Sequence, residues 1–244
     1  MIQMVKKSEQ YNANIFNGNF VVNKPVANVN KTSVQPYSNL FYWSHGYTLQ
    51  NIEFGLHPHE GFEIMTFILE GNISHYDTAT KVWTPLSTGD FQIIQSNSGI
   101  QHQERIEKGS RAFQIWFDPH FYQAIQKKPT YSDYRSQDFL PKLEHGLNTI
   151  TYIGEGSIAK SITPGLSIKK LLLETKTKTS ITLKEDSSYT FYILSGEGKI
   201  GHLLVEKDDA IRINHSSVLE IDFQGELFCI QTPAKPDYKP IWLA

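Results

Sequence analysis

The sequence predicts an all-β protein built as two tandem barrels with only a few short helices. Three observations lead there. Short runs rich in Ile, Val, Phe, Tyr and Thr recur along the chain; Gly, Asn, Asp and Pro break them at short intervals; and the second half weakly resembles the first.

The elements follow in order. The first barrel shows strand patterns at 62–71 (FEIMTFILEG), 90–95 (DFQIIQ) and 111–117 (RAFQIWF). The segment HFYQAIQKK (120–128) has length for two helical turns before Pro129 ends it. A polar stretch, 127–148, carries Pro129, Tyr131, Tyr134 and Pro141 and reads as an ordered crossing loop. Strand patterns resume at 167–174, 189–196 and 227–232. The expected division is therefore residues 1–126, a connector at 127–148, and 149–244.

The internal likeness is specific enough to align. FILEGNISH (67–75) matches YILSGEGKIG (192–201), with Gly71 on Gly196; TGDFQIIQ (88–95) then matches KDDAIRIN (207–214). One barrel repeated twice is the economical account.

Composition narrows the function classes. Lys and Arg total 23 against 25 Asp and Glu, a formal charge of −2 with no dense basic run, which argues against bulk electrostatic binding to nucleic acid. The single cysteine, Cys229, rules out an intrachain disulfide, and its apolar setting LFCI reads as a buried strand thiol. No apolar stretch has the length of a signal peptide core or membrane span, so the expectation is a soluble cytoplasmic protein without membrane contact.

The chemistry lies in HPHEGFE (57–63) and HQE (102–104). His57 and His59 are spaced i, i+2, as are His102 and Glu104, so on strands each pair projects to one face. Two such strands facing each other inside a barrel would gather three imidazoles and one carboxylate, a donor set for Fe, Mn, Cu, Ni or Zn that leaves positions open. Pro58 suits an edge strand or the start of a strand, since it cannot donate to a ladder. One histidine alone would read as structural; four candidate ligands at two matched spacings reverse that. The other histidines, His45, His75, His120, His145, His202 and His215, have no partner at ligand spacing and read as surface or hydrogen-bonding residues. At the repeat offsets, His57 and His59 fall on Thr182 and Lys184, and His102 and Glu104 on Ile221 and Phe223. Only the first barrel is expected to hold metal.

These motifs resemble those of the pirin family of cupins. The run HPHEGFEI, followed by LEG at 69–71 and HYD at 75–77, is similar to the pirin first motif; STGD at 87–90 and SNSGIQHQE at 96–104 are similar to the second. The resemblance implies two cupin barrels of the double-stranded β-helix, jelly-roll type. It implies metal ligands at His57, His59, His102 and Glu104, and iron, as Fe(II), as first choice of metal. Glu63, where other cupins often place a ligand, is expected to support the site. The chain departs from the pattern at Glu60, where many pirins have arginine, and at Asn97 and Ser98, where an arginine often precedes the HxE histidine.

The resemblance implies either of two functions. One is an enzyme like a quercetin 2,3-dioxygenase, opening a flavonol-type phenol with O2; Glu104 would take the substrate's proton, with Glu63 the second candidate base. Phe54, Phe62, Phe67, Phe91, Phe113 and Trp116 would then either line a pocket for the small aromatic substrate or form barrel core. The other is a non-enzymatic, iron-dependent redox sensor acting on a protein partner of transcription or metabolism. A third, weaker reading is another cupin reaction on the same ligands.

Overall fold

A computed structural model describes residues 1–28, 34–144 and 147–243. The strands of the first half are β1 (Ile2–Val5), β2 (Tyr11–Ile15), β3 (Phe20–Val26), β4 (Leu40–Thr48), β5 (Ile52–His59), β6 (Glu63–Glu70), β7 (Asn72–Asp77), β8 (Trp83–Ser87), β9 (Phe91–Gln95), β10 (Ile100–Ile106) and β11 (Arg111–Phe117). After one helical turn, α1 (Phe121–Ala124), come β12 (Thr130–Tyr134), β13 (Lys142–Glu144), β14 (Leu147–Ile153), β15 (Ser167–Thr182), β16 (Ser187–Ile200), β17 (Leu203–Val205), β18 (Ala210–Asn214) and β19 (Val218–Pro233). The predicted strands at 62–71, 90–95 and 111–117 are β6, β9 and β11. Those at 167–174, 189–196 and 227–232 lie inside the longer β15, β16 and β19.

The chain divides into two compact units. The metal-motif unit comprises Tyr11–Asp138, Ser161–Thr163 and Tyr238–Ala244. It pairs a seven-stranded antiparallel sheet, ordered β12-β9-β6-β11-β4-β3-β2, with a four-stranded one, β5-β10-β7-β8. Both contribute to its core: Ile68 of β6 packs with Ile73, Leu86 and Ile106 of the smaller sheet, and Ile64 and Ile94 pack with Ile100. Phe67, Phe91 and Phe113 are fully inside, so for these three the core reading of the aromatics holds.

The other unit comprises Met1–Gln10, Phe139–Lys160 and Pro164–Asp237, and its sheet runs β1-β18-β16-β19-β15-β14-β13 with β17 on β16. Its core contains Ile221 and Phe223, the residues aligned with His102 and Glu104, while Thr182 and Lys184 are exposed. Gly71 and Gly196 both have positive φ, +78° and +87°, and a Cβ on either would strike neighbouring chain, so the aligned glycines do the same job in both halves.

Contacts place the boundaries differently from the sequence pattern. Residues 1–10 belong to the second unit, where β1 pairs with β18 and Lys7 Nζ meets Asp208 at 2.6 Å. The chain end from Tyr238 belongs to the first: Ile241 N donates to Asp118 Oδ2 at 2.6 Å and Trp242 Nε1 to Ser38 O at 3.1 Å. Much of the expected connector is also sheet. β12 adds a seventh strand beside β9, with Tyr131 opposite Ile94, and β13 pairs with β14. Periodicity over five residues among prolines and charges gave no strand signal there; the ladder with β9 supplies it.

Candidate metal centre

β5 and β10 do not face each other across the barrel. They are neighbours in one sheet, with His57 directly opposite His102, His59 opposite Ile100 and Pro58 opposite Gln101. β5 is the edge of that sheet, which accommodates Pro58. Cross-strand pairing therefore joins the histidine pairs more directly than a barrel-spanning contact would.

The register slips between His102 and Glu104, because Glu104 stands opposite Phe54. Gly55 and Leu56 thus share the single partner position of Gln103, which is a β-bulge in the edge strand. The extra residue reverses the side-chain alternation, so Phe54 and His57, three apart, line one cavity together with Glu104. The bulge also supplies an acceptor: His57 Nδ1 lies 2.7 Å from Gly55 O, so it donates there and leaves Nε2 for the centre.

His57, His59 and His102 each offer a ring nitrogen within 4.8 Å of the others, the one such group among the described residues. Their ring centroids are 4.3–5.0 Å apart. Nε2 of His59 and Nε2 of His102 are buried without a hydrogen-bond partner. Two orphaned nitrogens beside a third imidazole would be costly unless a cation shares their lone pairs. Burial holds the rings neutral, as ligation requires: with the nearby His57 adding to the effect, it pushes His59 down to about 4, and with the neighbouring His75, His57 and His59 it pushes His102 to about 2. The residues present fit a divalent first-row metal.

His102 is oriented by a residue the spacing argument set aside. His75 is buried, and its Nε2 lies 2.9 Å from His102 Nδ1. With Nε2 of His102 as ligand, Nδ1 carries the proton and His75 accepts it. The His75 ring stacks on Tyr131 at 5.1 Å, and Tyr131 donates to Asp133 at 2.6 Å. Burial is the main cause that lowers His75 to about 4, against the opposing pull of Asp77. The alternation Ile73, His75, Asp77, all buried on β7, was the signal available in sequence.

The two acidic candidates separate. Glu104 is buried, and burial pushes its carboxyl up to about 7. Gln114 Nε2 donates to its Oε1 at 3.1 Å, and Trp116 Nε1 donates to Gln114 Oε1 at 3.1 Å, fixing which way the amide points. Glu104 Oε2 is left for a ligand or proton. Glu63 is wholly buried elsewhere. Its Oε1 accepts from Gln95 Nε2 and Ile162 N, and its Oε2 from Ser161 Oγ and from the Thr163 N and Oγ1. A carboxylate holding five donors is an anchor for residues 161–163. The expectation of Glu63 as a second base is corrected accordingly.

The segment that departs from the family pattern does structural work. Ser96 Oγ donates to Phe62 O at 2.7 Å and accepts from Phe62 N, and Asn97 Nδ2 donates to Lys128 O at 2.8 Å. The Ser96 bonds tie the turn before β10 to the turn after β5, and the Asn97 bond ties it to the segment between α1 and β12. Glu60, exposed, borders with His59 an open surface cleft. Of the remaining histidines, His45 accepts from Arg111 at 3.1 Å, His120 stacks on Tyr238, and His202 and His215 are exposed; His145 lies outside the described residues.

The raised Glu104 carboxyl makes a pH prediction for the metal-free protein. A folded value near 7 against 4.5 in the unfolded chain stabilises below about 4.5 and is lost as pH rises through 7. Glu104→Gln, which imitates the neutral acid, should raise the melting temperature at pH 8 by the equivalent of about 3 kcal/mol and come within about 1 kcal/mol of wild type at pH 5. The lowered histidines act oppositely, costing both proteins stability as pH falls below about 6.5. Melting curves from pH 4.5 to 8 check this; equal curves throughout would refute it.

Residues 23–117 match the family model described as Pirin. Among curated proteins, the "Putative quercetin 2,3-dioxygenase" of Pasteurella multocida is 28% identical over 184 residues, 69% of this chain and 71% of that protein. The quercetin 2,3-dioxygenase of Escherichia coli K12 is 39% identical over 70 residues, 27% of this chain and only 29% of its own length. Among solved structures, the nickel(II) complex of a bacterial pirin from Escherichia coli superposes with TM-score 0.78 at 20% identity, covering 96% of this chain and 99% of that one. A quercetin 2,3-dioxygenase from Acinetobacter baumannii gives TM-score 0.80 at 20% identity, covering 95% and 79%. The fold is the expected pair of cupin barrels.

Proposed function

We propose that this chain, a pirin-family cupin protein, holds one divalent transition metal on His57, His59 and His102, with Glu104 as fourth ligand, and uses it to open the heterocycle of a flavonol-type phenolic substrate with O2. The observation that carries the reading is the position of His57 and Glu104 on the wall of a cavity of about 320 Å³, which gives a small aromatic molecule access to the ligand set. The nickel bound by the Escherichia coli pirin supports a divalent ion, and iron is preferred here because the reaction with O2 calls for a redox-capable metal.

When bound, the metal supplies Lewis acidity toward a phenolic oxygen and, if redox-active, an electron path to O2. The protein's own contribution is positional. Gln114 and Trp116 hold Glu104 so that Oε2 is left toward the metal and the phenolic oxygen, where it would accept the phenolic proton. Phe54 gives the substrate ring an apolar wall, while Phe62 and Trp116 shield His59, their rings 5.4 and 5.3 Å from it.

The test is O2 uptake by the iron-loaded protein with quercetin, wild type beside Glu104→Gln. Metal-dependent uptake that falls at least tenfold in the variant is expected. A full complement of bound iron with no uptake for any flavonol would reject the dioxygenase reading in favour of the redox-sensing one.

A further inference from the structure

Tyr131 and Asp133 stand two residues apart on β12, so both side chains project from one face of the seven-stranded sheet. From there the Tyr131 ring reaches His75 of β7 and stacks on it, centroids 5.1 Å apart and planes 13° from parallel. His75 in turn meets His102, with ring centroids 5.1 Å apart and Nε2 2.9 Å from Nδ1. One hydrogen bond and one ring stack therefore join a proposed metal ligand to a phenol.

That phenol is equipped to release its proton. The Tyr131 hydroxyl donates to Asp133 Oδ2 at 2.6 Å. Gln92, opposite Asp133 on β9, donates its Nε2 to the Tyr131 oxygen at 3.2 Å and to Asp133 Oδ1 at 3.1 Å, and Thr84 also bonds the phenol. Burial raises the Asp133 carboxyl above the usual aspartate range, which favours taking a proton. Burial, and then the bond to Asp133, raise the Tyr131 phenol far above its ordinary value, so the proton stays while the ring is reduced. A phenol gives up an electron readily when its proton leaves in the same event, because the alternative is a buried radical cation. The rings against the proposed ligands lack such an outlet. Trp116, 5.3 Å from His59, donates to the neutral amide of Gln114, and Phe62 has no acidic proton. β12 is also the edge strand of its sheet, and Tyr131 and Asp133 are half-buried, so a small reductant can reach them.

We infer that Tyr131 is a one-electron donor to the metal centre, its proton passing to Asp133, and that it drains oxidising equivalents when no substrate is present to take them. With a peroxide as oxidant the step balances. Hydrogen peroxide takes one electron from ferrous iron and one from Tyr131, and with two protons from solvent its O–O bond breaks to give two waters. The iron is left ferric, the O–H bond of Tyr131 breaks, its proton forms a new O–H bond on Asp133, and a neutral tyrosyl radical remains. A reductant such as ascorbate returns the electron, and Asp133 returns the proton. The inference goes beyond the flavonol reaction and rests on the proposed metal centre alone.

Electron paramagnetic resonance tests it without turnover. The iron-loaded full chain is mixed with hydrogen peroxide in the absence of substrate and frozen early, as wild type, Tyr131→Phe and Asp133→Asn, each first assayed for bound iron. Tyr131→Phe keeps the ring that stacks on His75 and removes only the hydroxyl. Wild type should give a tyrosyl signal that narrows when ring-deuterated tyrosine is incorporated. The signal should be lost in Tyr131→Phe and fall at least about tenfold in Asp133→Asn, both retaining iron. No radical in iron-loaded wild type, a radical on tryptophan instead, or a tyrosyl signal undiminished in either variant would each overturn the inference. Failure of wild type to bind iron would overturn it together with the metal-centre reading. A Tyr131 radical without O2 uptake from any flavonol would uphold it and remove the dioxygenase reading alone.

Discussion

His102→Ala should lose the metal almost completely, with affinity falling at least 100-fold. His102 occupies the middle of the constellation: its ring lies 4.3 Å from His57 and 4.8 Å from His59, and its other nitrogen meets His75. Truncation removes one of three imidazoles and leaves His75 Nε2 buried without its partner. His75→Phe keeps all the proposed ligands and removes only the group that orients His102, so its loss should be smaller, about 10- to 100-fold. Competition against a chelator measures both. The order of the two variants is the informative result, because equal losses would give His75 the standing of a ligand.

Glu63→Ala should produce the largest fall in stability while retaining the metal. The variant takes the buried acceptor away from five donors, of which Thr163 N alone keeps a second one, on Ser161 Oγ. Removing one member of a buried charged network costs about 3–5 kcal/mol. For a chain of this size that corresponds to a melting temperature lower by about 10 °C. Glu63→Gln keeps one acceptor oxygen and should cost roughly half as much. Thermal melts and metal analysis of both variants check the prediction. Loss of metal from a folded Glu63→Gln would show that this carboxylate ligates after all.

The parts of the site legible in sequence were those encoded in local spacing. HPH and HQE each state their own geometry, because alternation along a strand needs no knowledge of the partner. Pro58 likewise narrowed its place to an edge or a strand start, and it lies on the edge strand β5. The β-bulge at Gly55 and Leu56 was hidden, since it exists only in the pairing of β5 with β10, yet it decides that His57 and Phe54 share a cavity. Glu63 sits where a cupin ligand is often found, and only the return of residues 161–163, about a hundred positions later, shows its carboxylate already engaged.

The same reason explains the unit boundaries. A pattern read along the chain groups neighbours in sequence, whereas β1 completes a sheet with β18 and Ile241 ends on Asp118. His75 and Tyr131 fall between these cases. Each was visible as a residue, but stacking and a ring-to-ring hydrogen bond gave them a role that no short motif carries.

X-ray absorption at the metal edge of the iron-loaded protein tests the central claim most directly, since it counts the imidazoles around the ion. One metal per chain with three histidine ligands in wild type and two in His57→Ala is the predicted result. A first shell of oxygen alone, or a wild-type spectrum unchanged in His57→Ala, would contradict it.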